Sequence, residues 1–273
     1  MTPPVTGSAR LAGVSAPLTP PLKWAGGKRW QIPHLRPLWE ANSRRRLVEP
    51  FSGGLAVALG LVPDKALLND TNDHLINFYR WLQSGLKIDI HMENSEKLFY
   101  RHRNRFNALI ATEQADTEEA AGLFYYLNRT CFNGLCRFNS SGEFNVPFGR
   151  YKKIAYRRDF TAYKPLLELW TFSQGDFQDI VLRKTDFIYA DPPYDVEFTK
   201  YSKGGFPWED QVRAAEWLAR HKGPVVLVNQ STTRIEQLHR RLKFDVRFLD
   251  APRRISCNGD RTPAKEVLAT RNL

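Results

Sequence analysis

Asp191-Pro192-Pro193-Tyr194 follows the apolar run Asp186–Ala190, which puts a carboxylate, two proline-fixed carbonyls and an aromatic ring at the end of one strand. Both prolines lack an N–H and hold φ at about −65°, so the turn is stiff and its carbonyls stay aimed. Such a set suits a ring bearing an exocyclic amine: two oxygens accept its N–H protons and Tyr194 offers a face to stack on. The segment reads as a catalytic loop for methyl transfer to an amino group. A strand followed by Pro-Pro is also ordinary turn punctuation, so the other motifs must decide.

Open α/β sheets bind ligands at the carboxyl ends of their strands. Four features fall at such ends: Glu49–Gly54, Asp70, Gln174–Phe177 and Asp191–Tyr194. Phe51-Ser52-Gly53-Gly54 lets backbone approach a ligand where side chains would block it, although a plain strand-to-helix turn looks the same. Asp70 could accept from ribose hydroxyls or cap the next helix, and both readings stay open. A dinucleotide-binding dehydrogenase expects Gly-x-Gly-x-x-Gly after the first strand. The run here is Gly53-Gly54-Leu55-Ala56-Val57, and Asp191–Tyr194 would go unexplained. That class is rejected. Lys23-Trp24-Ala25-Gly26-Gly27-Lys28 sets a tryptophan beside paired glycines and two cations, the make-up of a segment over a ligand or of a basic surface loop.

The elements that must carry these residues alternate. Strands are predicted at Leu47–Phe51, Ala66–Asp70, Leu169–Phe172, Asp186–Ala190, Pro224–Asn229, Phe244–Leu249 and Glu266–Thr270. Helices are predicted from about Leu55 to Leu61, over Leu75–Leu82 with apolar residues at helical spacing, near Trp208–His221 and over Ser231–Leu242. The alternation implies a mostly parallel sheet with helices on both faces. It stops between residues 84 and 163, which are expected to form an inserted domain. The expected division is a tail over 1–21, a catalytic domain over 22–83 and 164–273, and the insertion.

The chain has 273 residues with 42% hydrophobic content, enough for one large α/β domain with an insertion. No apolar run approaches a membrane span, and no charged start leads into an apolar stretch and cleavage site, so no membrane partner and no secretory leader are expected. Lys and Arg number 40 against 29 Asp and Glu, a net charge of +11. That surplus favours a polyanionic partner, since neutralised phosphates release condensed counterions. Cys131, Cys136 and Cys257 lack Cys-x-x-Cys spacing, so no metal site and reduced thiols in the cytoplasm are expected. Leu127–Arg137 and Phe144–Lys153 interleave Arg, Asn and aromatics around turn glycines. Arg and Asn read guanine and adenine edges, and apolar groups meet the thymine methyl. With the net charge, DNA reading is favoured over a solvated hairpin.

Taken in order, the chain resembles the Dam-type DNA adenine-N6 methyltransferases of the alpha group, from about Leu22 to Ala269. The resemblance lies in Leu22–Lys28, Val48–Phe51, Asn133–Arg137, Gly142–Lys153, Asp191–Tyr194 and Arg253–Gly259. It implies a Rossmann-like sheet that uses S-adenosylmethionine as methyl donor, with an inserted, mainly helical DNA-recognition domain containing a β-hairpin. By resemblance Trp24, Lys28, Phe51, Gly53, Asp70, Asp176, Phe177 and Asp191 adjoin the donor, with Asp70 on its ribose. Asp191, Pro192, Pro193 and Tyr194 are the implied catalytic residues. Lys23, Phe132, Asn133, Leu135, Arg137, Pro147, Arg150 and Tyr201 are the implied contacts to double-stranded DNA. Arg137 is the implied guanine reader, Leu135 and Pro147 meet thymine, and Phe132 is a wedge in the stack. Phe198–Tyr201 and Phe206 match a segment that orders around an extruded base. The implied target is adenine-N6 in GATC, reached by base flipping, in a monomeric enzyme of a bacterial or phage-infected cell, with or without a restriction partner. Two departures stand out: Leu55 replaces the last glycine of the Phe-x-Gly-x-Gly pattern, and Phe132 replaces a common tyrosine. An RNA amino-methyltransferase and a DNA-binding protein without catalysis remain the rivals.

Overall fold

The computed structural model describes residues 18–195, 205–252 and 264–273. Its centre is a seven-stranded sheet in the order β3-β2-β1-β4-β5-β7-β6. The strands are β1 (Leu47–Glu49), β2 (Ala66–Asp70), β3 (Trp170–Gln174), β4 (Phe187–Ala190), β5 (Val225–Gln230), β6 (Asp245–Ala251) and β7 (Ala264–Arg271). β1 to β5 run parallel, while β7 lies antiparallel to both β5 and β6. The path from β1 steps outward through β2 to β3, then returns to place β4 on the other side of β1. Such a reversal opens a crevice at the carboxyl ends of β1 and β4.

Successive strand residues point to opposite faces, and here both faces are apolar. Leu47, Leu68, Phe187, Tyr189, Val226, Val228 and Leu268 enter one cluster. Val48, Ile188, Ala190, Val225, Leu227, Val267 and Ala269 enter the other. Helices cover each. The first face takes α1 (Ile32–Glu40), α2 (Ala56–Leu61) and α3 (Asp73–Ser84); the second takes α7 (Trp208–Ala219) and α8 (Thr233–Arg241). Sandwiched strands read as continuous apolar runs, which is why the sequence located them within two or three residues at each end.

Local chemistry sets the helix ends. Asn72 caps α3 by accepting from the Leu75 N–H at 2.9 Å, and Gly85 ends it at φ 88°. α1 was not among the expected helices, and it carries two prolines, Pro33 and Pro37. Pro33 falls in the first turn, where its missing N–H costs nothing, and Leu35 and Trp39 anchor the helix to the core.

The crossover from β2 to β3 carries α3, α4 (Glu96–Ala111), α5 (Glu118–Thr130) and α6 (Lys164–Leu167). Phe99, Phe106 and Leu123–Leu127 join the cluster that holds Leu75, Phe78 and Leu82, so this segment shares the sheet's core. The expected β-hairpin is reduced to a chain reversal. Two isolated antiparallel bridges, Phe138–Phe144 and Cys131–Phe148, flank the Asn139–Gly142 turn, with no strand among the described residues of that segment. Asn139 Oδ1 accepts from Ser141 and Glu143, which satisfies the turn locally and leaves little ladder to build. Residues 18–21, expected in the tail, are tied down. Leu18 packs on the core, and the Tyr163 hydroxyl donates to the Thr19 carbonyl at 2.6 Å. No described helix is long and apolar enough to cross a membrane.

Candidate active site

Asp191 leaves the carboxyl end of β4, beside β1 in the crevice, and Lys28 and Tyr194 gather with it there. Lys28 Nζ lies 3.2 Å from Asp191 Oδ1 and donates to the Gly26 carbonyl at 2.7 Å. The same ammonium sits 4.5 Å from the centre of the Tyr194 ring. Lys28 is only 4% exposed, a position that a cation tolerates when paired. Trp24 packs on the glycine turn: a Cβ on Gly53 would fall 2.7 Å from its Nε1, and one on Gly54 2.8 Å from its Cβ. Both positions must therefore be glycine while Trp24 lies there.

Asp70 closes the group. Its Oδ2 accepts from the Gly53 N–H at 3.0 Å and its Oδ1 from the Asn72 N–H at 3.0 Å. The helix-capping reading of Asp70 is thereby corrected, since Asn72 is the cap. Asp70 instead ties the end of β2 to the glycine turn, and a carboxylate with about four acceptor sites retains capacity for a diol. Burial raises its pKa, opposed by these N–H donors.

The carboxylates titrate upward together. Burial pushes Asp191 up to about 6, with the Lys28 charge pulling the other way. Burial, then the charge of Asp191, holds Glu49 well above the usual carboxylate range. Burial and the neighbouring carboxylates keep Tyr194 protonated. Glu49 Oε1 and Ser52 Oγ are buried without a hydrogen-bond partner among the described residues. Buried acceptors of this kind are costly unless a donor arrives, and an ammonium- and hydroxyl-bearing ligand would supply one. The chemistry of S-adenosylmethionine fits this donor-poor, acidic floor. Glu49 carried no role in the sequence reading, and only its place inside the Val48–Phe51 motif could have signalled it.

The remaining predicted donor contacts form an aromatic wall. Phe51 packs on Phe177 at 5.3 Å and on Phe206 at 5.6 Å. Asp176 caps the following turn and receives Arg213 on both oxygens at 2.9 Å, with that guanidinium 4.4 Å over Phe177. Arg213 was not foreseen. Nor was the buried chain beneath the loop, in which Tyr189 donates to Gln31 at 2.8 Å and Gln31 to Glu266 at 2.7 Å. Its members lie up to 235 residues apart in sequence, so no local pattern could reveal it.

The predicted DNA contacts cluster on one surface. Phe132, Asn133, Leu135, Arg137, Pro147 and Arg150 are all exposed, and the Phe132 N–H donates to the Pro147 carbonyl at 2.8 Å, joining the two segments. Phe132 is 49% exposed, an apolar ring left in water, and Arg137 Nε is aimed by Asn145 Oδ1 at 2.8 Å. Lys23 packs against Gly134 of the same turn, but its charge is turned inward. Its Nζ donates to the Arg129 carbonyl at 2.9 Å and rests 3.5 Å over the Tyr151 ring, so its charge serves the protein first. Tyr201, with Phe198–Tyr201 and Arg253–Gly259, lies outside the described residues. Among the described residues no group of three or more His, Cys, Asp or Glu could hold a metal ion.

Comparison with known proteins places the chain in a family. Residues 24–247 match the family described as D12 class N6 adenine-specific DNA methyltransferase. A DNA adenine methylase of Vibrio cholerae is 37% identical over 271 residues, covering 91% of this chain and 94% of that protein. The retron Ec67 DNA adenine methylase of Escherichia coli is 33% identical over 262 residues, covering 91% and 90%. The type II methyltransferase M1.LlaDCHI of Lactococcus lactis is 35% identical over 256 residues, covering 86% and 89%.

Proposed function

Because this chain belongs to the D12 class of N6 adenine-specific DNA methyltransferases, we propose that Asp191–Tyr194 is its catalytic loop, acting on an adenine extruded from double-stranded DNA. The observation that carries the reading is the Lys28–Asp191–Tyr194 cluster at the switch point of the sheet. Trp24, Lys28, Asp70 and the aromatic wall with Asp176 would hold S-adenosylmethionine, which would supply the methyl group on a sulfonium. The adenine amine is a poor nucleophile because its lone pair is delocalised into the ring. Asp191 and the Pro192 carbonyl accept its two N–H groups, which favours a tetrahedral nitrogen with a localised lone pair. Tyr194 stacks on the ring and keeps it in place. Extrusion costs a few kcal/mol, offset by this stacking and by Phe132 entering the gap. Placement and fixed charge supply the acceleration.

Asp191→Ala is expected to abolish transfer of a tritiated methyl group to DNA while DNA affinity stays near normal. Turnover close to that of the unaltered enzyme would remove Asp191 from the chemistry.

GATC is the proposed site, supported by the recognition segment Asn133–Arg137 and Gly142–Lys153. Arg137, pre-aimed by Asn145, reads a guanine edge; Leu135 and Pro147 meet thymine. Plasmid methylated by the enzyme should resist endonucleases blocked by N6-methyladenine in GATC and be cut by those indifferent to it. Cutting by both kinds would move the specificity elsewhere. The enzyme is proposed to act as a monomer in the cytoplasm.

A further inference from the structure

The peptide groups on either side of Tyr194 are both held by side chains, and the holders are bonded to each other. Gln211 Nε2, on α7, donates to the Pro193 carbonyl at 2.7 Å. Asn229 Nδ2, on β5, donates to Gln211 Oε1 at 2.9 Å. Asn229 Oδ1 accepts from the Asp195 N–H at 3.3 Å and from the Gln230 N–H at 2.8 Å. Gln211 is 3% exposed and Asn229 1%.

The polarity of this chain is fixed at both ends. A proline-preceded carbonyl can only accept and an amide N–H can only donate, so each side-chain amide has one permitted orientation. Asp195 is further secured: its Oδ2 accepts from Arg234 Nε at 2.6 Å and from Thr232 Oγ1 at 3.2 Å, and Arg234 stacks 4.7 Å over the Trp208 ring. Proline fixes φ at 192 and 193 but leaves ψ free. The plane of the 193–194 peptide and that of the 194–195 peptide together determine where the Tyr194 ring points. We infer that Gln211 and Asn229 are positioning residues, an amide pair that sets the backbone of Tyr194 and so the angle of the stacking platform. The pair also occupies the Pro193 carbonyl, leaving the neighbouring Pro192 carbonyl as the loop's acceptor for substrate.

This inference rests on the reading of Asp191–Tyr194 as the catalytic loop, so the test includes that loop. Gln211→Met keeps the volume and removes the donor; Gln211→Glu keeps the shape and places an acceptor against the Pro193 carbonyl. Each is measured for kcat at saturating DNA and donor, for donor Kd, and for thermal unfolding, in the unaltered and Tyr194→Ala backgrounds. Misplacing a reacting group by about 1 Å can cost about 100-fold, so kcat should fall about 10- to 100-fold with donor Kd held within about twofold. In the Tyr194→Ala background the same changes should cost little more, because the platform they aim is gone.

A kcat for Gln211→Met within about twofold of the unaltered enzyme would overturn the inference, as would equal losses in both backgrounds. Loss of donor binding and of the unfolding transition in both Gln211 variants would also overturn it, marking the pair as core hydrogen bonds alone. Retained turnover in Asp191→Ala, run alongside, would instead sink the loop reading itself.

Discussion

Asp191 is poised between two demands. A carboxyl whose folded pKa is raised from the ordinary 3.8 to about 6 favours the protonated form in the native state. Its contribution to stability is therefore fully present below about pH 4 and is lost as the pH rises through about 6. The proposed catalytic role needs the ionised form, which gains as the pH rises through the same range. The acid limb of kcat/KM is expected near pH 6, and over pH 4 to 6 the unfolding free energy should fall relative to Asp191→Asn. Paired pH–rate and denaturant titrations check both; a limb near pH 4 would mean that Asp191 is more solvated than its burial implies.

At this scale the sequence exposed whichever residues lay inside contiguous motifs. Lys28, Gly53, Asp70, Asp191 and Tyr194 all lay in such motifs; the fold sets Lys28 against Asp191 and Tyr194, and Asp70 against Gly53. Glu49, Gln31, Arg213, Gln211 and Asn229 were not singled out. Their partners lie across strands and helices, and an amide or carboxylate in an apolar run announces nothing about what it will face.

Among the elements, α2 begins unusually. Leu55 stands at its start with φ 60° and ψ 25°, the left-handed conformation that glycine adopts freely. The family pattern has glycine at this position, so the backbone keeps the glycine geometry and Leu55 bears the strain, about 1–2 kcal/mol. Complete burial repays it, because the side chain sits in the core cluster beneath the turn. Removing a buried leucine costs about 2–5 kcal/mol. Leu55→Gly is therefore expected to destabilise by about 1–3 kcal/mol net, read from the shift in a urea midpoint. A neutral or stabilising result would show that strain outweighs packing. The helix was foreseen within a residue, but its unusual start was not, since nothing in an apolar run reports a positive φ.

β6 shows the opposite limit. It is one of the two edge strands, largely exposed, and bears Asp245, Arg247 and Asp250. Charges there discourage pairing with a second chain. Its sequence lacks the two-sided apolar run of β4 or β5, and its predicted end fell two residues short.

Over the whole molecule, 40 basic against 29 acidic residues make DNA affinity steeply dependent on salt. Arg150 is 80% exposed on its side chain and lies 3.8 Å from Glu96, which leaves its charge available to a phosphate. Arg150→Ala should weaken binding alike for all sequences and reduce the slope of log K against log salt by about 1. An unchanged slope would take Arg150 out of the phosphate contacts.

Lys23 and Trp24 are consecutive, yet each is claimed by a different part of the chain. The Lys23 backbone exchanges hydrogen bonds with the Asn128 side chain at 2.9 and 2.8 Å, while a Cβ on Gly134 would sit 2.4 Å from Lys23 Cβ. Trp24 fills the space over Gly53 and Gly54. One peptide unit thus stitches the turn proposed to read bases to the cradle proposed for the methyl donor. A chimera given another relative's reading turn must import the matching residues at 22–24 as well, or lose its grip on the donor along with its old target.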